Sequence, residues 1–247
     1  MKTGMLLMGV VLLAACRAKD TDGEFPTDQW YCVGDEPEMA DRETGRVQYT
    51  LPVADSDGAA VPDLTVNVCG DPGCPEELPK CVNDAGQCFE VSGDRDLVFS
   101  FPFGFDGVLR FTAPGFVETN YVLGGPMIGT PDGQLEVDGQ RLTMASSQSI
   151  VNTQRGSLVL KALGCDGQPA SGVRVQPVSG SVLSEGPAAG LVTDDQGVVT
   201  SDNMQPDAAT LAAIAPDGSE YARVTALIRA NAVTVAELRI GIGVWGQ

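Results

Sequence analysis

Four of the seven cysteines crowd into residues 69–88, in the stretches CGDPGC and CVNDAGQC. Thiols at this density either bind a soft metal as thiolates or oxidise in pairs. The cluster lacks any CxxC knuckle of the kind common in four-thiolate zinc sites. Setting Cys16 aside for the reason given below leaves Cys32, Cys69, Cys74, Cys81, Cys88 and Cys165, an even set that reads as a disulfide framework in an exported chain. Two pairings of the cluster fit the spacing. A four-residue turn at 83–86 places Cys81 opposite Cys88, with Cys69 closing on Cys74 across Gly-Asp-Pro-Gly. The nested alternative joins Cys69 to Cys88 and Cys74 to Cys81. Either way Cys32 and Cys165 are left for each other. Other chemistry is sparse. The chain has no histidine, so nucleophile–histidine catalysis and histidine-ligated zinc hydrolysis lack their central group. Beyond the first residues the lysines are Lys19, Lys80 and Lys161, none in a recognisable serine motif. The many Asp and Glu residues sit mostly in turns, where solvation explains them. The expectation is a protein that is not an enzyme, with no catalytic residues, no cofactor and no metal.

The first residues say where such a chain would work. Lys2 precedes an apolar run from Met5 to Ala15 that ends at Cys16. A basic start and a short apolar core have the anatomy of a secretory signal, too short for the roughly 20 residues of a membrane span. Leu13-Ala14-Ala15-Cys16 resembles the lipobox of bacterial lipoproteins. That resemblance implies cleavage before Cys16 and acylation of its thiol. Each buried methylene contributes about 0.8 kcal/mol, so two or three acyl chains hold permanently where one does not. Arg17 after the cysteine, in place of an aspartate, implies the outer membrane rather than the inner one. The net charge of −18 repels phosphate backbones and argues against nucleic acid as a partner. The expected partners are the membrane, through the lipid, and an envelope protein.

The elements that carry these cysteines are short strands. VQYTLPV, LTVNV, CFEV, DLVFSF, VLRFTA and FVETNYVL are β-branched and aromatic, at strand length. Asp-Gly pairs punctuate them, as tight turns require. Phe99, Phe101, Phe103 and Phe105 recur at every second residue and predict one core-facing strand side. Residues 17–45 are polar and acidic and read as a tether with a span of about 30 Å; Trp30 and Tyr31 predict that its far end docks on the body. Landmarks then recur at a period of about 110 residues. A strand, an Asp-Gly turn and an alternating strand beginning at Leu64 or Val173 come first. Asn83–Gly86 and Asp194–Gly197 follow, and then Ala113-Pro114 and Ala215-Pro216. One unit is used twice. Residues 206–215 are alanine-rich enough for a helix, but the repeat requires a strand there. Residues 240–245 alternate apolar with glycine and predict a final strand.

Strand, Asp-Gly, Val61-Pro62-Asp63-Leu64-Thr65-Val66 or Ala170-Ser171-Gly172-Val173-Arg174-Val175, then Asn83–Phe89 or Thr193–Val199, and Ala113-Pro114-Gly115-Phe116, together resemble the carboxypeptidase regulatory-like domain. This resemblance implies the transthyretin-type (prealbumin-like, Ig-like) β-sandwich of seven strands, an accessory module rather than a peptidase. The expected architecture is all-β. It comprises a signal at 1–15, lipidated Cys16 and tether at 16–45, and tandem sandwiches at 46–146 and 147–247. The expected role is a structural or protein-binding lipoprotein of the outer membrane, the alternative being a carbohydrate- or peptidoglycan-binding one.

Overall fold

The computed structural model describes residues 30, 46–70, 90–102, 105, 107–123, 134–149, 152–165, 167–179 and 191–239. Strands account for nearly all the regular structure in them; the one helical turn is a 3-10 turn at Ser147–Ser149. The first repeat contributes β1 (Arg46–Ala54), β2 (Thr65–Cys69), β3 (Glu90–Ser92), β4 (Asp96–Pro102), β5 (Val108–Thr112), β6 (Glu118–Val122), β7 (Gln134–Asp138) and β8 (Leu142–Thr143). The second contributes β9 (Gly156–Ala162), β10 (Arg174–Ser179), β11 (Leu191–Val192), β12 (Val198–Met204), β13 (Asp207–Ile214), β14 (Glu220–Ile228) and β15 (Ala232–Leu238).

Alternation sets the burial of each strand. In β1 the side chains of Val47, Tyr49, Leu51 and Val53 turn inward; in β4 those of Leu97, Phe99 and Phe101 do. The phenylalanine ladder is core, as its spacing predicts. Phe99 stacks on Phe101 at 5.6 Å between centroids, Phe101 on Phe105 at 4.2 Å, and Phe111 meets Phe99 edge-on at 6.4 Å. Phe103 lies outside the described residues. So do the predicted final strand at 240–245 and the Asn83–Gly86 turn.

Strand pairing shows the repeat directly. β1 pairs antiparallel with β4 and parallel with β7; β9 pairs antiparallel with β12 and parallel with β15. β2–β5–β6 and β10–β13–β14 are antiparallel trios. The turn ahead of the second strand also matches: Asp63 and Gly172 both hold positive φ, 50° and 74°. The strand equivalent to β12 is β4, and Val53 N donates to Arg95 O at 2.8 Å as Ala162 N donates to Gly197 O at 2.8 Å. The bend at 93–95 therefore precedes β4 as the Asp194–Gly197 turn precedes β12. β3 then pairs with β4 as an addition peculiar to the first repeat. Residues 207–214 form a strand, as the repeat requires and against their alanine content. Ala209, Leu211 and Ala213 are buried, and the strand is hydrogen-bonded on both sides.

The repeats are also joined through their sheets. β6 of the first pairs in parallel with β15 of the second, from Glu118↔Ala232 to Val122↔Ala236. This fuses β12-β9-β15-β6-β5-β2 into one six-stranded sheet. One core lies on each face of it. Val68, Leu109, Phe111, Tyr121 and Val235 face the sheet containing β1 and β4. Cys69, Val108, Val122, Leu158, Leu160, Ala236 and Leu238 face the sheet containing β10, β13 and β14. The arrangement is three layers with a shared middle, and the middle strands are buried on both sides. Trp30 packs against the second core, its ring 4.9 Å from that of Tyr221.

Gly197 gives the first test of this geometry. Its φ is +68°, and a Cβ there would lie 2.7 Å from Ala162 O and 2.8 Å from Ala170 N, both backbone atoms. Gly58, at φ +79°, has open space around it. Gly58→Ala should cost only the left-handed backbone term, about 1–2 kcal/mol. Gly197→Ala should cost clearly more in the same urea titration; equal losses would mean that the close approach at β9 is not present.

Candidate functional site

β15 reads AVTVAEL and lies between two parallel neighbours, β9 and β6. A strand buried on both faces is ordinarily a continuous apolar run. This one carries Glu237 and is followed directly by Arg239, two residues on and so on one face, the face of Val233 and Val235. Glu237 is 0% exposed, and Arg239 and Lys161 are 7% exposed. These three are the buried charged side chains among the described residues.

Each has partners that make its burial tolerable. Tyr49 of β1 donates its hydroxyl to Glu237 Oε1 at 3.0 Å, and Tyr121 of β6 donates to the same oxygen. The two hydroxyls are 3.3 Å apart. The Arg239 guanidinium pairs with Glu237 Oε2 and sits 5.7 Å from the centre of the Tyr49 ring. Lys161, opposite Glu237 on β9, donates its ammonium to the carbonyl oxygens of Arg141 at 2.7 Å and Gln140 at 3.4 Å. It also lies 5.5 Å from the centre of the Tyr121 ring. Gly139 leaves room for the Tyr49 hydroxyl, which a Cβ at that position would strike.

The electrostatics follow from this packing. Burial, then the neighbouring Glu237 carboxylate, pushes the Tyr49 and Tyr121 hydroxyls well above the usual phenol range, so both stay protonated and act as donors. Burial opposes the charge on Arg239, but the Glu237 carboxylate outweighs it and holds the guanidinium protonated. Lys161 is lowered to about 8: burial dominates, Glu237 works against the shift, and Arg239 adds to it. A carboxylate with two phenols and a guanidinium could exchange protons, but this one is sealed from solvent. What the group does is fasten an outer strand, two middle strands from the second repeat, one from the first, and the loop after β7.

At the other end of β15 the repeats meet around a cleft of about 430 Å³. The β5–β6 connection supplies Thr112, Ala113, Phe116 and Glu118; the β14–β15 turn supplies Arg229 and Asn231. Glu118 Oε1 accepts from Asn120 Nδ2 at 3.2 Å and faces Arg229 Nη1 at 3.7 Å. Asn231 is exposed, at φ 56°, and its backbone N donates to Arg155 O at 2.9 Å.

Of the residues singled out from sequence, Cys16, Cys32, Cys74, Cys81 and Cys88 lie outside the described residues. Cys69, at the end of β2, is fully buried; Cys165 lies in the loop after β9. Both carry disulfide-bonded sulfurs, and the choice between the two pairings stays open. Lys161 falls inside β9, and its role in the buried network was not foreseen. Glu237, Arg239, Tyr49 and Tyr121 were missed altogether. The available signal was a charged pair at i, i+2 in an otherwise apolar strand.

No family model and no curated protein matches the chain. Similar solved structures include a streptococcal ancillary pilin, 15% identical over 81% of this chain and 63% of that one, with a TM-score of 0.25. Another is the Bacillus anthracis TIE protein, 12% identical over 80% of this chain and 34% of that one, TM-score 0.26. A third is the minor pilin of Streptococcus agalactiae, 14% identical over 78% and 95%, TM-score 0.25. The chain spans less than two thirds of the first two. Superpositions this loose carry no argument about role; the all-β fold rests on the strands themselves.

Proposed function

We propose that the chain is a non-catalytic lipoprotein of the bacterial outer membrane, serving as a structural or protein-binding module held by acyl chains on Cys16. The observation that carries the non-catalytic part is the buried network. The described side chains with the strongest buried charges, Glu237, Arg239 and Lys161, are engaged with one another's neighbours and closed to reactants. The absence of histidine supports the same reading. The two units are of carboxypeptidase regulatory-like type, braced by disulfides among Cys32, Cys69, Cys74, Cys81, Cys88 and Cys165. Their partner is an envelope protein and not nucleic acid, in keeping with the charge of −18. The anchor rests on Leu13-Ala14-Ala15-Cys16. Cys16→Ser should therefore move the protein from the membrane pellet to the soluble fraction when cells are fractionated; a variant that still sediments with membranes would rule the anchor out. A second reading, binding of envelope carbohydrate or peptidoglycan, is favoured by one feature: the polar cleft between the β5–β6 and β14–β15 connections.

A further inference from the structure

We infer that this cleft binds an N-acetylated saccharide, with Glu118, Arg229 and Asn231 as the polar contacts and Phe116 as the apolar wall. The inference rests on the carbohydrate reading and assigns it a site. At about 430 Å³ the cleft falls within the roughly 300–1,000 Å³ of small-molecule sites. Its lining combines three planar polar side chains with one aromatic ring, and each has a use. Vicinal sugar hydroxyls both donate and accept. A carboxylate beside a guanidinium offers one group for each direction, and Glu118 and Arg229 stand 3.7 Å apart. Glu118 Oε1 already accepts from Asn120, whereas Oε2 accepts from no described residue. The Asn231 carboxamide is both donor and acceptor, so it complements an acetamide. It is exposed and makes no hydrogen bond to a described residue. Phe116 and Ala113 offer apolar surface for a sugar face and an acetyl methyl.

The walls are also held in place before any ligand arrives. The Glu118↔Ala232 pair closes the floor from both repeats. Phe116 N donates to Ala113 O at 3.2 Å, and Phe116 bridges to Ser146. The left-handed backbone at Asn231 is anchored to Arg155 O. A site assembled from both repeats exists only in the fused fold, which is why neither repeat read alone announces it.

The test is calorimetric titration of the full chain with chitotetraose, and with cellotetraose as the same backbone without acetamides. Co-sedimentation with purified peptidoglycan runs alongside. Asn231→Gly removes the carboxamide and keeps the positive φ; Glu118→Gln removes the charge and keeps the shape. Chitotetraose should bind more tightly than cellotetraose. Each variant should weaken it about tenfold or more, the usual consequence of an unpaired polar contact, with an unchanged unfolding midpoint. If chitotetraose or peptidoglycan binds and neither variant weakens it, the cleft assignment falls and the carbohydrate reading survives. If cellotetraose binds as well as chitotetraose, the acetamide assignment falls. If nothing binds, the site and the carbohydrate reading fall together.

Discussion

Glu237→Leu should lower the free energy of unfolding by about 3–5 kcal/mol, the range for breaking a buried ion pair from one side. The loss is large because three groups depend on that carboxylate: Arg239 would keep its charge at 7% exposure, and the Tyr49 and Tyr121 hydroxyls would lose their acceptor. Against a total stability of roughly 5–15 kcal/mol, such a change brings the fold near its limit. The double variant Glu237→Leu with Arg239→Met should recover a substantial part of the loss, since it removes the stranded charge as well. Urea titrations of the two single variants and the double variant close the cycle, and the pair should be strongly non-additive. Simple additivity would show that the two side chains do not depend on each other, and the network described above would have to be abandoned.

The second large effect depends on pH and belongs to Lys161. The groups that face it are Glu237 of β15, Arg239 just after it, Tyr121 of β6, Tyr49 of β1, and the carbonyls of Gln140 and Arg141. Its pKa in the folded protein is about 8, against 10.5 for a free side chain. Between these values the unfolded chain binds the proton and the folded protein does not, so the unfolded state holds more protons and stability rises with pH. Below pH 8 both states are protonated and the burial penalty is felt in full. Passing from pH 8 to 10.5 should therefore stabilise the protein by roughly 3 kcal/mol through this group alone. Tyr49 and Tyr121 act in the opposite sense. Their folded values are raised, so their contribution is complete below pH 10 and declines above it. Lys161→Met retains the tyrosines and removes the ammonium. Its stability should lack the rise seen in the unmodified protein, and the difference between the two should change by about 2–3 kcal/mol over that interval. Parallel pH profiles would show that the lysine is not desolvated.

Local rules carried most of the strand reading. β1 and β4 announce themselves by alternation, and the phenylalanine ladder by its two-residue spacing. The matched positive φ at Asp63 and Gly172 explains why the second-strand motif repeats so visibly. Where propensity and repeat disagreed, at 207–214, pairing on both sides of the strand decided against a helix. β3, paired with β4, has no counterpart among the described strands of the second repeat. The β6–β15 pairing left no trace in the sequence. Parallel pairing between strands more than a hundred residues apart needs no particular turn and no particular spacing, and its only mark is burial on both faces. The buried network was hidden for the same reason. Glu237 looks like any surface carboxylate until the second face of β15 is known to be covered.

Placing β15 in the middle of the shared sheet has a consequence for how the molecule is made. β15 follows every other described strand in the chain, yet it joins the two halves of the six-stranded sheet. Until it arrives, β6 and β9 each present an open edge, and open edges recruit other chains. Contacts this distant in sequence also form slowly. β15, the last of the described strands, is thus the keystone of the shared sheet, and a chain lacking it would leave two open edges rather than one finished module with a missing neighbour.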